Sequence, residues 1–173
     1  MKRYIILILI LNLSYAISAQ DLTSKLAKNS AYVEFAGSGL LYSVNYDRLL
    51  LVDKRMRFSG TVGFTYLPTI EDFITFKHIY GASIGFNTLF GTEKHFGEFG
   101  INLSYLNMTE YSDIVYHTLY LPLRLGYRYQ KDTNGLFLRL SVMPIFSVYQ
   151  HVDAKVFLYP ITLHFGVGVG YSF

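Results

Sequence analysis

His164 and Thr162 fall on one side of the segment ITLHFGVGVGYSF, Ile161 to Phe173, and Ser141 and Ser147 share a side of the segment before it. A serine, a histidine and a carboxylate within hydrogen-bond reach make a hydrolytic set, because the imidazole takes the hydroxyl proton and the acid orients the imidazole. The parts are present, but no spacing brings them together. His78, His95, His117 and His151 fall at predicted strand ends or in connections, and no HxxH-like pair supports a metal. Gly166-x-Gly168-x-Gly170 invites comparison with a phosphate-binding turn, yet such a turn must open a helix and no helical pattern follows. No catalytic, cofactor-binding or metal-ligating residue is therefore assigned, and no cofactor is expected.

Charge is the other chemistry on offer. Glu34, Asp47, Arg57, Glu98, Arg124, Arg128 and Arg139 all share a parity with Gly, Ser, Thr and Asn, opposite a parity that is apolar. In TLYLPLRLGYRY, Leu119, Leu121, Leu123, Leu125, Tyr127 and Tyr129 alternate with Tyr120, Pro122, Arg124, Gly126 and Arg128. MRFSGTVGFTYL, IYGASIGFNTLF, GEFGINLSYLN, GLFLRLSVMPIF, LLYSVNYDRL and the last segment repeat the pattern. A period of two marks strands, because successive side chains point to opposite faces.

A soluble sandwich alternates too, but it turns Lys and Glu to water, whereas the polar face here is small. Small residues suit the crowded inside of a narrow barrel, and an apolar outer band edged with Tyr suits lipid. The composition agrees: 51% hydrophobic and 17% aromatic, with 16% charged, is too apolar for an ordinary soluble domain. The fold class expected is all-β, a closed antiparallel up-and-down transmembrane β-barrel of eight strands.

Seven segments are plain, and an even number is needed. Gly37-Ser38-Gly39 supplies the eighth if its glycines adopt the positive φ of a tight reversal, giving strands near Ala31–Ala36 and Leu40–Arg48. The alternative is one strand with a glycine bulge, the missing strand then coming from Val152–Leu158. LLVDKRM, GTEKH and QKDTNG read as short turns; PTIEDFITFKH, NMTEYSDIVYH and SVYQHVDAKVFLYP read as long loops on the opposite side. Four Arg against three acids inside read as a salt-bridge plug, the alternative being a ligand or proton path.

The first residues, MKRYIILILILNLSYAISAQ, have the basic start, short apolar run and small-residue end of an export signal, 1–19, with cleavage before Gln20 or one residue earlier. The run is too short for a spanning helix. Residues 20–30 then form an N-terminal periplasmic segment and 31–173 the barrel. The chain has no cysteine, so closure of a sheet rather than disulfides must hold it. The formal charge of +3 includes Lys2 and Arg3 of the signal, which leaves a surplus of about one and gives no support to nucleic-acid binding.

Phe165, Val167, Val169, Tyr171 and Phe173 resemble the C-terminal signal that outer-membrane barrels present to the barrel-assembly machinery. AGSGLLYSVNYDRLL, FGTEKHFGEFGINLSYL and LPLRLGYRYQKDTNGLFLRLSVMPIF are similar to small outer-membrane barrel proteins widespread in Bacteroidota. The resemblance implies residence in the cell outer membrane, with outer-membrane lipid and the assembly machinery as partners. It implies no activity. The function expected is a structural or surface-interaction role, non-enzymatic and monomeric, with an extracellular partner reached through the long loops. The alternatives are a lipid-modifying enzyme resembling a lipid A deacylase, and a narrow channel.

Overall fold

The computed structural model describes residues 26–53, 55–67, 76–112, 114–152, 155–156 and 162–173. The expected signal, 1–19, and parts of PTIEDFITFKH and SVYQHVDAKVFLYP lie outside them. Strands are β1 (Asn29–Phe35), β2 (Tyr42–Val52), β3 (Met56–Leu67), β4 (Phe76–Thr92), β5 (His95–Glu110), β6 (Val115–Gln130), β7 (Gly135–Val152), the two-residue β8 (Lys155–Val156) and β9 (Thr162–Ser172). Each strand from β1 to β7 pairs antiparallel with the next, β7 pairs with β9, and β9 pairs back onto β1. Eight strands thus close a ring, and β8 hangs on the end of β7 outside it.

A ladder circuit from Ser30 through Asp47, Thr61, Gly85 and Asn102, carried across β5–β6 by the register that pairs Ile101 with Leu123 and Ser104 with Tyr120, continues from Pro122 through Ile145 and returns at Thr162, ten residues from Ser172, with which Ser30 itself pairs. Over eight strands that offset tilts the strands by roughly 40° and leaves an interior just wide enough for side chains. The structure is therefore a closed up-and-down barrel, the fold class the alternation predicts.

Parity decides what lines each face. On β9 the outward Leu163, Phe165, Val167, Val169 and Tyr171 are 60%, 62%, 52%, 47% and 53% exposed, while Gly166, Gly168 and Ser172 are buried. β3 and β5 repeat this with Val62, Phe64, Ile101 and Leu103 outside and Ser59, Thr61, Asn102 and Ser104 inside. Apolar exposure on this scale is far beyond the isolated patches of a soluble monomer. Tyr66 pairs with Tyr80 at one rim, near Tyr42 and Tyr105, and Tyr127 and Tyr171 stand toward the other.

The reversal at Gly37-Ser38-Gly39 is real, but its chemistry differs from the expectation. The left-handed backbone falls on Ala36 (φ 53°) and Leu40 (φ 66°), not on the glycines. The glycines are needed for space: a Cβ on Gly37 would collide with the Glu34 side chain, and one on Gly39 with Thr65 and Ser43. Residues 37–39 are buried, so the turn folds into the barrel mouth.

Two further differences concern boundaries. β1 begins at Asn29, so the last residues of the expected 20–30 segment belong to the wall. β5 and β6 run to Glu110 and from Val115, so most of NMTEYSDIVYH is strand, and β7 likewise absorbs the start of SVYQHVDAKVFLYP. These hairpins stand above the apolar band, where a ladder persists without the alternation that reveals it.

Candidate functional site

The interior is built in layers. At the rim where β9 ends, Leu49, Leu89 and Phe96 form an apolar floor with Leu26 packed against them. Residues 26–28 cross under it: the Ala27 amide donates to the Asp132 carbonyl (2.6 Å), Gln130 Nε2 to the Ala27 carbonyl (3.1 Å), and the Leu49 amide to the Lys28 carbonyl (2.8 Å). Arg57 lies 4.4 Å over the Phe96 ring and pairs with Asp132 at 2.8 Å.

Above the floor stands a four-residue charge cluster. Arg128 grips Asp47 with both terminal guanidinium nitrogens, each at 2.9 Å, and Glu98 Oε1 at 2.7 Å. Arg139 Nη2 reaches the same Glu98 oxygen at 2.8 Å and Asp47 Oδ2 at 3.2 Å. Ser59 and Thr61 donate to Asp47 Oδ2 at 2.9 and 2.6 Å. Arg139 also donates to the Tyr32 hydroxyl, and the stacked rings of Tyr32 and Phe137 (4.8 Å) face the guanidinium groups. All four charges are buried, two of each sign, so the layer is neutral.

A second layer holds one pair. Arg124 forks onto both oxygens of Glu34 and donates to Ser141 Oγ at 3.2 Å. Glu34 Oε2 also accepts from the Ser38 amide and hydroxyl, both at 3.3 Å, which ties the tucked turn to the lumen. Tyr120 donates to the Ser38 carbonyl at 2.6 Å from above. The mouth is closed by Ile79, Leu106, Tyr120 and Ile145, with Leu40 of the turn packed on them.

Every one of Glu34, Asp47, Arg57, Glu98, Arg124, Arg128 and Arg139 is buried, but they do not make one cluster. Arg57 stands apart, and its partner Asp132 escapes a sequence reading because QKDTNG looks like any solvated turn. Asp132 brings the acids to four, so the four Arg are matched. Tyr32 and Phe137 join the cluster from the inward parity of their strands, and Ser38 of the reversal reaches Glu34 from the turn. Of the C-terminal set, Phe165, Val167, Val169, Tyr171 and Phe173 all face outward and exposed. Asn45 Oδ1, Asn102 Nδ2, Ser104 Oγ and Glu98 Oε2 are buried with no protein partner, the kind of atom that ordered water serves in a polar interior.

The hydrolytic set does not assemble. Ser141 is engaged by Arg124 and sits opposite Gly166, while His164 sits opposite Met143. Thr162 is exposed at the strand end, and Ser147 is half-buried opposite Tyr120. His117 shares a hydrogen bond with the Tyr105 hydroxyl (2.8 Å) and accepts one from Asn107 (3.0 Å); His95 bonds to Tyr127. His78 is exposed on β4, and the His151 side chain lies outside the described residues. Among the described residues no serine is hydrogen-bonded to a histidine, and no three His, Asp or Glu side chains gather around a common point.

Comparison with family models, with curated proteins and with solved structures finds no match for this chain.

Proposed function

We propose that the protein is an outer-membrane barrel with a structural or surface-interaction role, whose lumen is a charge-neutral plug and whose export depends on its first 19 residues. The observation that carries this is the pairing of a broadly apolar outer face with an interior filled by paired charges between two apolar clusters. A protein built this way offers lipid its wall and offers the outside its long-loop end, where the β5–β6 hairpin carries Glu110, Ser112 and Tyr116 in one hydrogen-bonded group. The barrel is a rigid frame for that end, and interaction rather than chemistry is what the frame serves.

The same filling argues against conduction. A path through the barrel must pass the Leu49–Leu89–Phe96 floor, two layers of paired charge and the Ile79–Leu106–Tyr120–Ile145 ceiling. Each paired guanidinium is held by more than one bond, so opening the path means leaving buried charge unpaired. Purified protein in planar bilayers is expected to show no discrete conductance steps. Regular ion-conducting steps, lost on heat denaturation of the sample, would replace the plug with a channel.

A further inference from the structure

A charged side chain interrupts the apolar wall on β2. Arg48 stands on β2 between the outward Tyr46 and Leu50, is exposed, and forms no ion pair among the described residues. It belongs to the ladder row of Asn29, which bonds in turn to Phe173, so it lies toward the rim where β9 ends. A guanidinium beside lipid is costly unless it reaches an anion or the headgroup level.

Directly across the ladder from Arg48 is Gly60, an outward position with no side chain. A Cβ added there would meet only Leu50 Cδ1, at 3.5 Å, so the space above Gly60 is open. From it a groove of about 700 Å³ crosses the wall, lined by Tyr46, Val62, Ile84, Phe86, Ile101 and Leu103. The groove is apolar along its length, and at its Gly60 end Arg48 stands one strand away, across the ladder. Among the described residues of β1, β2 and β3 no side-chain carboxylate shares the outer face with Arg48, since Glu34 and Asp47 point inward.

We propose that Arg48 and this groove bind one anionic phospholipid, the guanidinium taking the phosphodiester oxygens and an acyl chain lying in the trough that Gly60 leaves open. The site rests on the membrane reading above and adds to it a headgroup preference. Guanidinium suits phosphate because its planar fork donates two parallel hydrogen bonds, and charge complementarity at Arg48 distinguishes this occupant from a second barrel packed on the wall.

The test refolds the full chain into vesicles of equal parts phosphatidylglycerol and phosphatidylcholine, extracts it in mild detergent and weighs the intact complex by native mass spectrometry. Wild type should retain one phosphatidylglycerol in preference to phosphatidylcholine. Arg48→Gln should lose that preference, Arg48→Lys should keep part of it, and Gly60→Leu, which fills the trough without touching the lumen, should retain neither lipid. Equal lipid ratios for wild type and Arg48→Gln would overturn the proposal, as would a complex of two chains without lipid. Heat-modifiable gel mobility separates the two readings: folded barrels in vesicles without lipid preference sink only the lipid site, whereas a chain that never enters the vesicles sinks the membrane reading and the site with it.

Discussion

Asp47→Ala is expected to lower unfolding stability by about 3–5 kcal/mol, the cost typical of removing one partner from a buried ion pair. Asp47 accepts from Arg128 twice, from Arg139, and from Ser59 and Thr61. Without it two buried guanidinium groups share Glu98 alone. The loss should therefore come from stranded positive charge more than from missing hydrogen bonds. Removing Arg128 as well restores the balance, because Arg139 and Glu98 still pair at 2.8 Å. The double variant Asp47→Leu, Arg128→Met should recover most of the lost stability, a coupling that simple addition of two damaged sites does not give. Urea midpoints after refolding into detergent, at unchanged slope, measure both quantities. A single variant within about 0.5 kcal/mol of wild type would mean that the cluster is solvated and is not a plug.

The second large effect lies on the other face. Arg placed at Val167 is expected to cost about 2–4 kcal/mol, falling to about 0–1 kcal/mol at Leu163, because the penalty for charge on a lipid-facing strand depends on depth. Both positions are outward and exposed, at 52% and 60%, so in water neither change should matter much. Val167 stands mid-wall, between Phe35 of β1 and Leu140 of β7, while Leu163 approaches the rim opposite the one where β9 ends. Refolding titrations in lipid vesicles read the difference. Equal, small costs at the two positions would assign the exposed apolar face to water or to a protein partner.

Much of this fold was legible because a barrel wall is half-buried in a strict alternation. Once Leu119, Leu121, Leu123 and Leu125 are read as one face, Arg124 and Arg128 have nowhere to go but inside. Gly37-Ser38-Gly39 was legible as a reversal, since three small residues interrupt the alternation there. Its inward tuck was not, because that depends on Glu34, Tyr120 and Leu40 meeting it from β1, from β6 and from within the turn itself. The strand ends were misjudged for a related reason: Asn107, His117 and Glu110 sit on a ladder beyond the apolar band, where no parity rule binds them. A bulge between Leu119 and Tyr120 shifts the pairing with β7 as well. The charge balance could not be completed from sequence because Asp132, 52% exposed and in a turn, reaches Arg57 only through the folding of the floor.

The central claim is that the apolar outer face lies against lipid, and the chain's lack of cysteine allows it to be tested at single positions. Cysteines at Ile84, Leu125 and Val167, spin-labelled one at a time in refolded vesicles, report collision with oxygen, which concentrates in lipid, and with a water-soluble nickel chelate. A label at Asn134, in the exposed turn between β6 and β7, serves as the aqueous reference. The account predicts high oxygen and low nickel accessibility at the three wall positions, and the reverse at Asn134. Nickel accessibility at Ile84, Leu125 and Val167 equal to that at Asn134 would contradict it.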